Sequence, residues 1–191
     1  MKIFRILEKE LTGDTFEWHM LPDSTVVRSD NPFFIPEFDT EFKAYPVVAI
    51  KIGRLGKSIA PKFAHRYYNE ATLAATVRAE NLLAFLRRGG MPWERAVAFD
   101  RSCFMGEFVP ADELLNCRNA SISCGGEKLE LNISEIRSTI NETIACISRD
   151  NTLKTGDLLL IPATGKGLKL SIGDNLTEEC DSGPLLEIRI K

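Results

Sequence analysis

The chain has 191 residues, 44% of them hydrophobic and 27% charged, with a formal net charge of -3 at pH 7. That balance is ordinary for a soluble domain, and its slight acidity leaves no electrostatic footprint for nucleic acid. The length predicts a single domain over residues 1–191, large enough to bury roughly two thirds of its unfolded surface with no disulfide or metal staple.

The opening residues, MKIFRILEKELTG, carry acids and no long apolar run. They predict neither a signal peptide nor a membrane span, and so a cytoplasmic chain beginning at Met1. PVVAIKI, residues 46–52, is a near-continuous β-branched run that stops at Gly53 and predicts a mostly buried strand. Residues 69–88, NEATLAATVRAENLLAFLRR, allow two readings. One is a single helix stopped by Gly89 and Gly90; the other is a strand through alternating Ala71, Leu73, Ala75 and Val77, followed by a helix from Glu80.

Cys124-Gly125-Gly126-Glu127 predicts a tight hairpin between residues 120–123 and 128–133. Ile133, Ile136, Ile140, Ile144 and Ile147 then recur at spacings of three and four, the stripe of an amphipathic helix, with Ser134 as its N-cap. Short strands return at 157–161, 168–172 and 185–190. The sum is an α+β, β-rich domain.

Five cysteines without a C-x-x-C spacing argue against a zinc knuckle or a complete disulfide framework. The sequons at Asn119, Asn132, Asn141 and Asn175 carry no weight without a secretory signal. His65 has no nucleophile near it in sequence and reads as a structural hydrogen-bonder. ATGKG, residues 163–167, lacks the full phosphate-loop pattern and reads as a hairpin turn.

Five segments carry a more specific signal: PFFIPEFDTEF (32–42), IGRLGKSI (52–59), FAHRYYNE (63–70), MPWERAVAFD (91–100) and LKTGDLLL (153–160). In order and spacing they resemble the fumarylacetoacetate hydrolase family over most of residues 20–191, leaving 1–19 as a divergent N-terminal segment. The resemblance implies a mixed β-sandwich roll, commonly a homodimer. It also implies hydrolysis, decarboxylation or isomerisation of oxo- and dioxo-acids around a Mg²⁺ or Mn²⁺ ion.

Carried over residue by residue, the resemblance puts Tyr45 and Val47 where the family has a Glu-x-Glu pair, and Thr76 where it has an Asp. The Arg-Asp that follows becomes Glu80-Asn81, the lysine before Gly-Phe-Asp becomes Val97, and a substrate-holding Thr-Gly-Thr-Pro turn becomes Ile161-Pro162-Ala163-Thr164. The family's Asn-Tyr and His-containing loop finds no counterpart in residues 6–18. Mg²⁺ depends on oxygen ligands, and carboxylates left without their cation would repel one another, so joint neutralisation is what abandoning the metal would produce.

The expectation from these residues is a scaffold with no catalytic residue, no metal and no cofactor, acting as a binding or partner subunit in a homodimer or beside an active relative. A second reading keeps a metal-dependent hydrolase, isomerase or decarboxylase with relocated groups: Asp39, Glu41 and Glu80 as ligands, or Cys103 as nucleophile. A third is a small-molecule sensor whose emptied pocket is lined by Tyr45 and Val47. None of the three involves nucleic acid or a membrane.

Overall fold

The computed structural model describes residues 1–7, 17–28 and 31–191. Three short strands come first, β1 (Ile3–Ile6), β2 (Trp18–Leu21) and β3 (Val26–Arg28). The long strands β4 (Phe42–Ile52) and β5 (Tyr68–Ala79) follow, connected through a 3-10 turn at Pro61–Arg66. β5 runs directly into α1 (Glu80–Arg88), so of the two readings of residues 69–88 the strand followed by a helix is the one adopted. The alanine-rich strand is buried on both faces from Ala71 onward, as a central strand must be.

Next come α2 (Glu94–Val97), β6 (Cys103–Met105), β7 (Val109–Pro110) and α3 (Ala111–Leu115). β8 (Ala120–Cys124) and β9 (Glu127–Leu131) form the expected hairpin. Gly125 and Gly126 sit at its turn with φ of 57° and 84°, the left-handed pair that a two-residue connection requires. The helix α4 (Ile133–Asp150) buries Ile133, Ile136, Ile140, Ile144 and Ile147. Each contributes about 1.5–3 kcal/mol by leaving water. Its N-cap position is Asn132 rather than Ser134, whose hydroxyl instead donates to Asn132 Oδ1 at 2.7 Å.

The chain closes with β10 (Leu158–Pro162), β11 (Leu168–Lys169), β12 (Asn175–Cys180) and β13 (Gly183–Arg189). Among the described residues the larger sheet runs β2-β1-β10-β4-β5-β6-β3, with β11 also on β4 and β7 on β5, and the smaller runs β13-β12-β8-β9. β1 lies parallel to β10 and β3 parallel to β6, while the other pairs are antiparallel. No helix among the described residues is long and apolar enough to cross a membrane.

One face of the larger sheet joins α4 and the smaller sheet in the main core, around Phe4, Phe42, Leu73 and Ile122. The other face carries a second apolar cluster that includes Ile3, Val47, Ala74, Cys103 and Leu160. That second face is curled. β1 and β5 are separated by β10 and β4, which would hold them roughly 14 Å apart in a flat sheet, beyond the reach of one side chain. Arg5 Nε nevertheless donates to Thr76 Oγ1 at 3.1 Å.

The expected hairpin turn at residues 163–167 is not one. β10 and β11 both pair antiparallel with β4, Pro162 opposite Val47 and Leu168 opposite Ala44. The five intervening residues are therefore an excursion from a single strand line, standing over Tyr45 and Pro46.

Candidate functional site

Side chains on the curled face follow from the alternation of β4 and β5. Lys43, Tyr45, Val47 and Ala49 point the same way along β4, and their direct cross-strand partners are Arg78, Thr76, Ala74 and Thr72. The register across β11 adds Lys169 opposite Lys43. Lys169, Lys43 and Arg78 thus form one cross-strand row of three cations, with Tyr45 and Thr76 in the row beside it.

Tyr45 is the centre of this patch. Its hydroxyl donates to Glu80 Oε1 at 2.8 Å, Glu80 being the first residue of α1. The Arg78 guanidinium carbon lies 3.8 Å from the centroid of the Tyr45 ring, a cation stacked on an aromatic face. Thr76 is held by Arg5, itself only 2% exposed. Lys43 forms an ion pair with Glu41 at 3.0 Å. The hydrogen bond to Glu41 is the main reason its ammonium is held above the usual lysine range; burial opposes the shift, and the charges of Glu41 and Glu80 add to it.

The remaining expected site residues are dispersed. Val47 is 1% exposed and packed in the second apolar cluster. Ile161 pairs with Val48 and faces the main core, away from the site. Val97 ends α2 and borders a cavity of about 270 Å³ with Leu7, His19, Pro92, Trp93 and Glu94. His65 stands exposed on the 3-10 turn.

Asp39 caps α1 from outside: its carboxylate accepts from the backbone N–H of Leu82 at 2.8 Å and from the Asn81 side chain at 2.8 Å. Burial pushes its pKa up, but these bonds, with those from the Glu41 and Thr40 N–H groups, outweigh it and hold it below the usual range. Cys103 is fully buried, and burial first, then the nearby charge of Glu178, pushes its thiol up to about 12 despite Arg5. A thiol held protonated in that way is no nucleophile. The reading that the family's substrate loop has no counterpart in residues 6–18 falls largely on residues 8–16, which lie outside the described residues.

A divalent ion needs several oxygen donors converging on one point. Among the described residues no three of His, Cys, Asp and Glu come together in that way. Tyr45, Val47, Thr76 and Val97 supply no carboxylate, and Asp39, Glu41 and Glu80 are engaged by Leu82, Lys43 and Tyr45 respectively. The described residues do not fit a caged Mg²⁺ or Mn²⁺ ion.

The family described as fumarylacetoacetate (FAA) hydrolase C-terminal matches residues 6–190. The chain belongs to the fumarylacetoacetate hydrolase family. Within the family, the chain is 25% identical over 157 residues to the mitochondrial oxaloacetate decarboxylase of Dictyostelium discoideum, covering 81% of this chain and 72% of the relative. It is 25% identical over 168 residues to the oxaloacetate tautomerase YcgM of Escherichia coli, covering 86% and 77%. The fumarylpyruvate hydrolase of Pseudomonas aeruginosa, solved in complex with Mn²⁺ and pyruvate, superposes with a TM-score of 0.87 at 20% identity, over all of this chain and 89% of that one. The mixed, strand-rich fold with a curled sheet is therefore the fold of this family.

These relatives correct two expectations. A non-catalytic scaffold is contradicted by relatives named for decarboxylase and tautomerase activities, which favour the enzyme reading. The expectation of no cofactor is contradicted by the same relatives and by the Mn²⁺ in the solved neighbour. Both expectations treated the missing carboxylates as the loss of a site. Arg5, Lys43, Arg78 and Lys169 belong to no motif in the sequence, although alternation along residues 43–47 already places Lys43 on the face of Tyr45.

Proposed function

We propose that this protein is an enzyme acting on a small 2-oxo acid, oxaloacetate or a near analogue, by enol–keto isomerisation or decarboxylation, with a divalent ion such as the Mn²⁺ bound in the solved neighbour. The observation that carries this reading is the cation row Lys169–Lys43–Arg78 beside Tyr45 and Glu80. A dicarboxylate needs opposite charge at fixed spacing, and guanidinium and ammonium groups provide it. The described residues do not cage the ion, so the chemistry assigned to the chain belongs to its own side chains.

The test is product analysis on oxaloacetate with Mn²⁺, with Mg²⁺ and with chelator. Turnover that yields pyruvate identifies a decarboxylase. Loss of the enol form without loss of CO₂ identifies a tautomerase. No acceleration of either reaction under any condition removes the reading. The proposal includes one domain per chain, a homodimer and a cytoplasmic location; sedimentation velocity at micromolar concentration reads the oligomeric state.

A further inference from the structure

The geometry points to Tyr45 and Glu80 as a coupled acid–base pair that moves the proton in the enol–keto step. The inference rests on the oxo-acid reading and adds to it a division of labour between residues. Tyr45 Oη and Glu80 Oε1 are 2.8 Å apart, a distance across which a proton can pass. Tyr45 is held from two sides, by the Arg78 guanidinium on its ring and by the Gly167 backbone. Glu80 is partly exposed and so open to a ligand from solvent.

The step balances without an outside donor. Glu80 takes a proton from the carbon next to the keto group. The electron pair left behind becomes the C=C bond, and the π pair of C=O moves onto oxygen. Tyr45 gives that oxygen its phenolic proton, and the protonated Glu80 returns its proton to Tyr45 across the hydrogen bond. One C–H bond is exchanged for one O–H bond, no electrons are gained or lost, and the pair is restored for the next turnover. Lys43 and Arg78 hold the substrate carboxylates and carry no proton in the step.

The placement also explains why a tyrosine stands at this position. A phenol can donate to the developing oxyanion, which a valine or phenylalanine cannot. The adjacent guanidinium stabilises the phenolate that exists for a moment before Glu80 returns the proton.

The experiment is exchange of the methyl hydrogens of pyruvate with solvent deuterium, followed by proton NMR in the presence of Mn²⁺, for the unmodified chain, Tyr45→Phe, Glu80→Gln and the double variant. Phenylalanine preserves the ring packed by Arg78 and Gly167, and Glu80 is partly exposed, so both variants should keep the thermal midpoint. Each single variant is expected to lose at least a hundredfold in kcat with KM nearly unchanged, and the double variant to lose little more than either single, because the two residues act as one unit. Lys43→Ala should show the opposite split, a raised KM with kcat retained.

Exchange within threefold of the unmodified rate in either Tyr45→Phe or Glu80→Gln overturns the relay while leaving the oxo-acid reading in place. An unmodified chain that neither exchanges pyruvate nor turns over oxaloacetate removes the oxo-acid reading and the relay with it.

Discussion

Gly167 lies against Tyr45 so closely that a Cβ added at Gly167 would stand 2.7 Å from the ring's Cζ and 2.8 Å from both Cε atoms. The contact arises because residues 163–167 leave the β4 edge and return to it, passing over the ring of Tyr45. Gly167→Ala must therefore displace either the ring or the excursion. Overpacking of this kind costs about 1–3 kcal/mol. The variant is expected to unfold at lower urea concentration and to lose activity beyond what the stability change accounts for, because Tyr45 moves off Glu80. Retention of full activity at the unmodified midpoint would show that the excursion does not position the ring.

Asp39 gives a second prediction. α1 has no side-chain cap from its own N-cap residue, Ala79; the orphan N–H of Leu82 is satisfied by Asp39, 43 residues earlier. Asp39→Ala should cost about 1 kcal/mol, within the usual range for a lost cap. In a chain of this size that is a fall of roughly 2–4 °C in the thermal midpoint. The folded carboxyl titrates below its unfolded value, so its stabilisation is present above the unfolded pKa and disappears as pH falls through the folded one. The difference between Asp39→Ala and the unmodified chain should accordingly shrink in acid. A deficit that persists undiminished at low pH would assign the loss to packing rather than to the cap.

Glu178 behaves in the opposite sense. It sits on β12, fully buried, with neither carboxylate oxygen hydrogen-bonded to a described residue, and burial raises its pKa well above the usual carboxylate value. The native chain retains a proton that the unfolded chain releases once pH passes the ordinary glutamate pKa. Stability should therefore decline as pH rises from there toward the native pKa, by at most about 1.4 kcal/mol per pH unit. Glu178→Gln removes that slope. Urea unfolding at pH 5 and at pH 7.5 should show the variant's relative stability improving with pH; an equal offset at both values would mean that Glu178 is not held protonated.

Metal binding is the fourth prediction. With no three-residue cluster among the described residues, chelator-treated protein alone should bind Mn²⁺ no more tightly than about millimolar. A 2-oxo acid brings two oxygens of its own, so oxalate, an inert mimic of that chelating edge, should tighten Mn²⁺ binding at least tenfold. Tight stoichiometric binding by the chain without oxalate would place the ligands outside the described residues.

Much of this fold was legible because it depends on local periodicity. The α4 stripe from Ile133 to Ile147 and the Gly125-Gly126 turn are readable within a few residues. Residues 163–167 read as a hairpin turn because a hairpin and a departure from one strand line share the same turn residues; the difference lies in which strand receives Leu168. Ser134 reads as the cap because its residue type fits, whereas the cap position is Asn132, two residues earlier. The site shows the sharpest contrast. Tyr45 and Glu80 both stand out in the sequence, but as losses, since each replaces a different residue that the family carries there. Their 2.8 Å contact spans 35 positions and depends on the β4–β5 register. Arg5 reaches Thr76 across 71 positions through sheet curvature, which no window of sequence contains.

The most direct test of the account is the rate at which enol-oxaloacetate converts to the keto form, followed by loss of enol absorbance with purified protein and Mn²⁺. The account predicts acceleration proportional to protein concentration, saturable in substrate, with KM raised severalfold or more in Lys43→Ala and Arg78→Ala. A rate indistinguishable from buffer containing Mn²⁺ alone would contradict it.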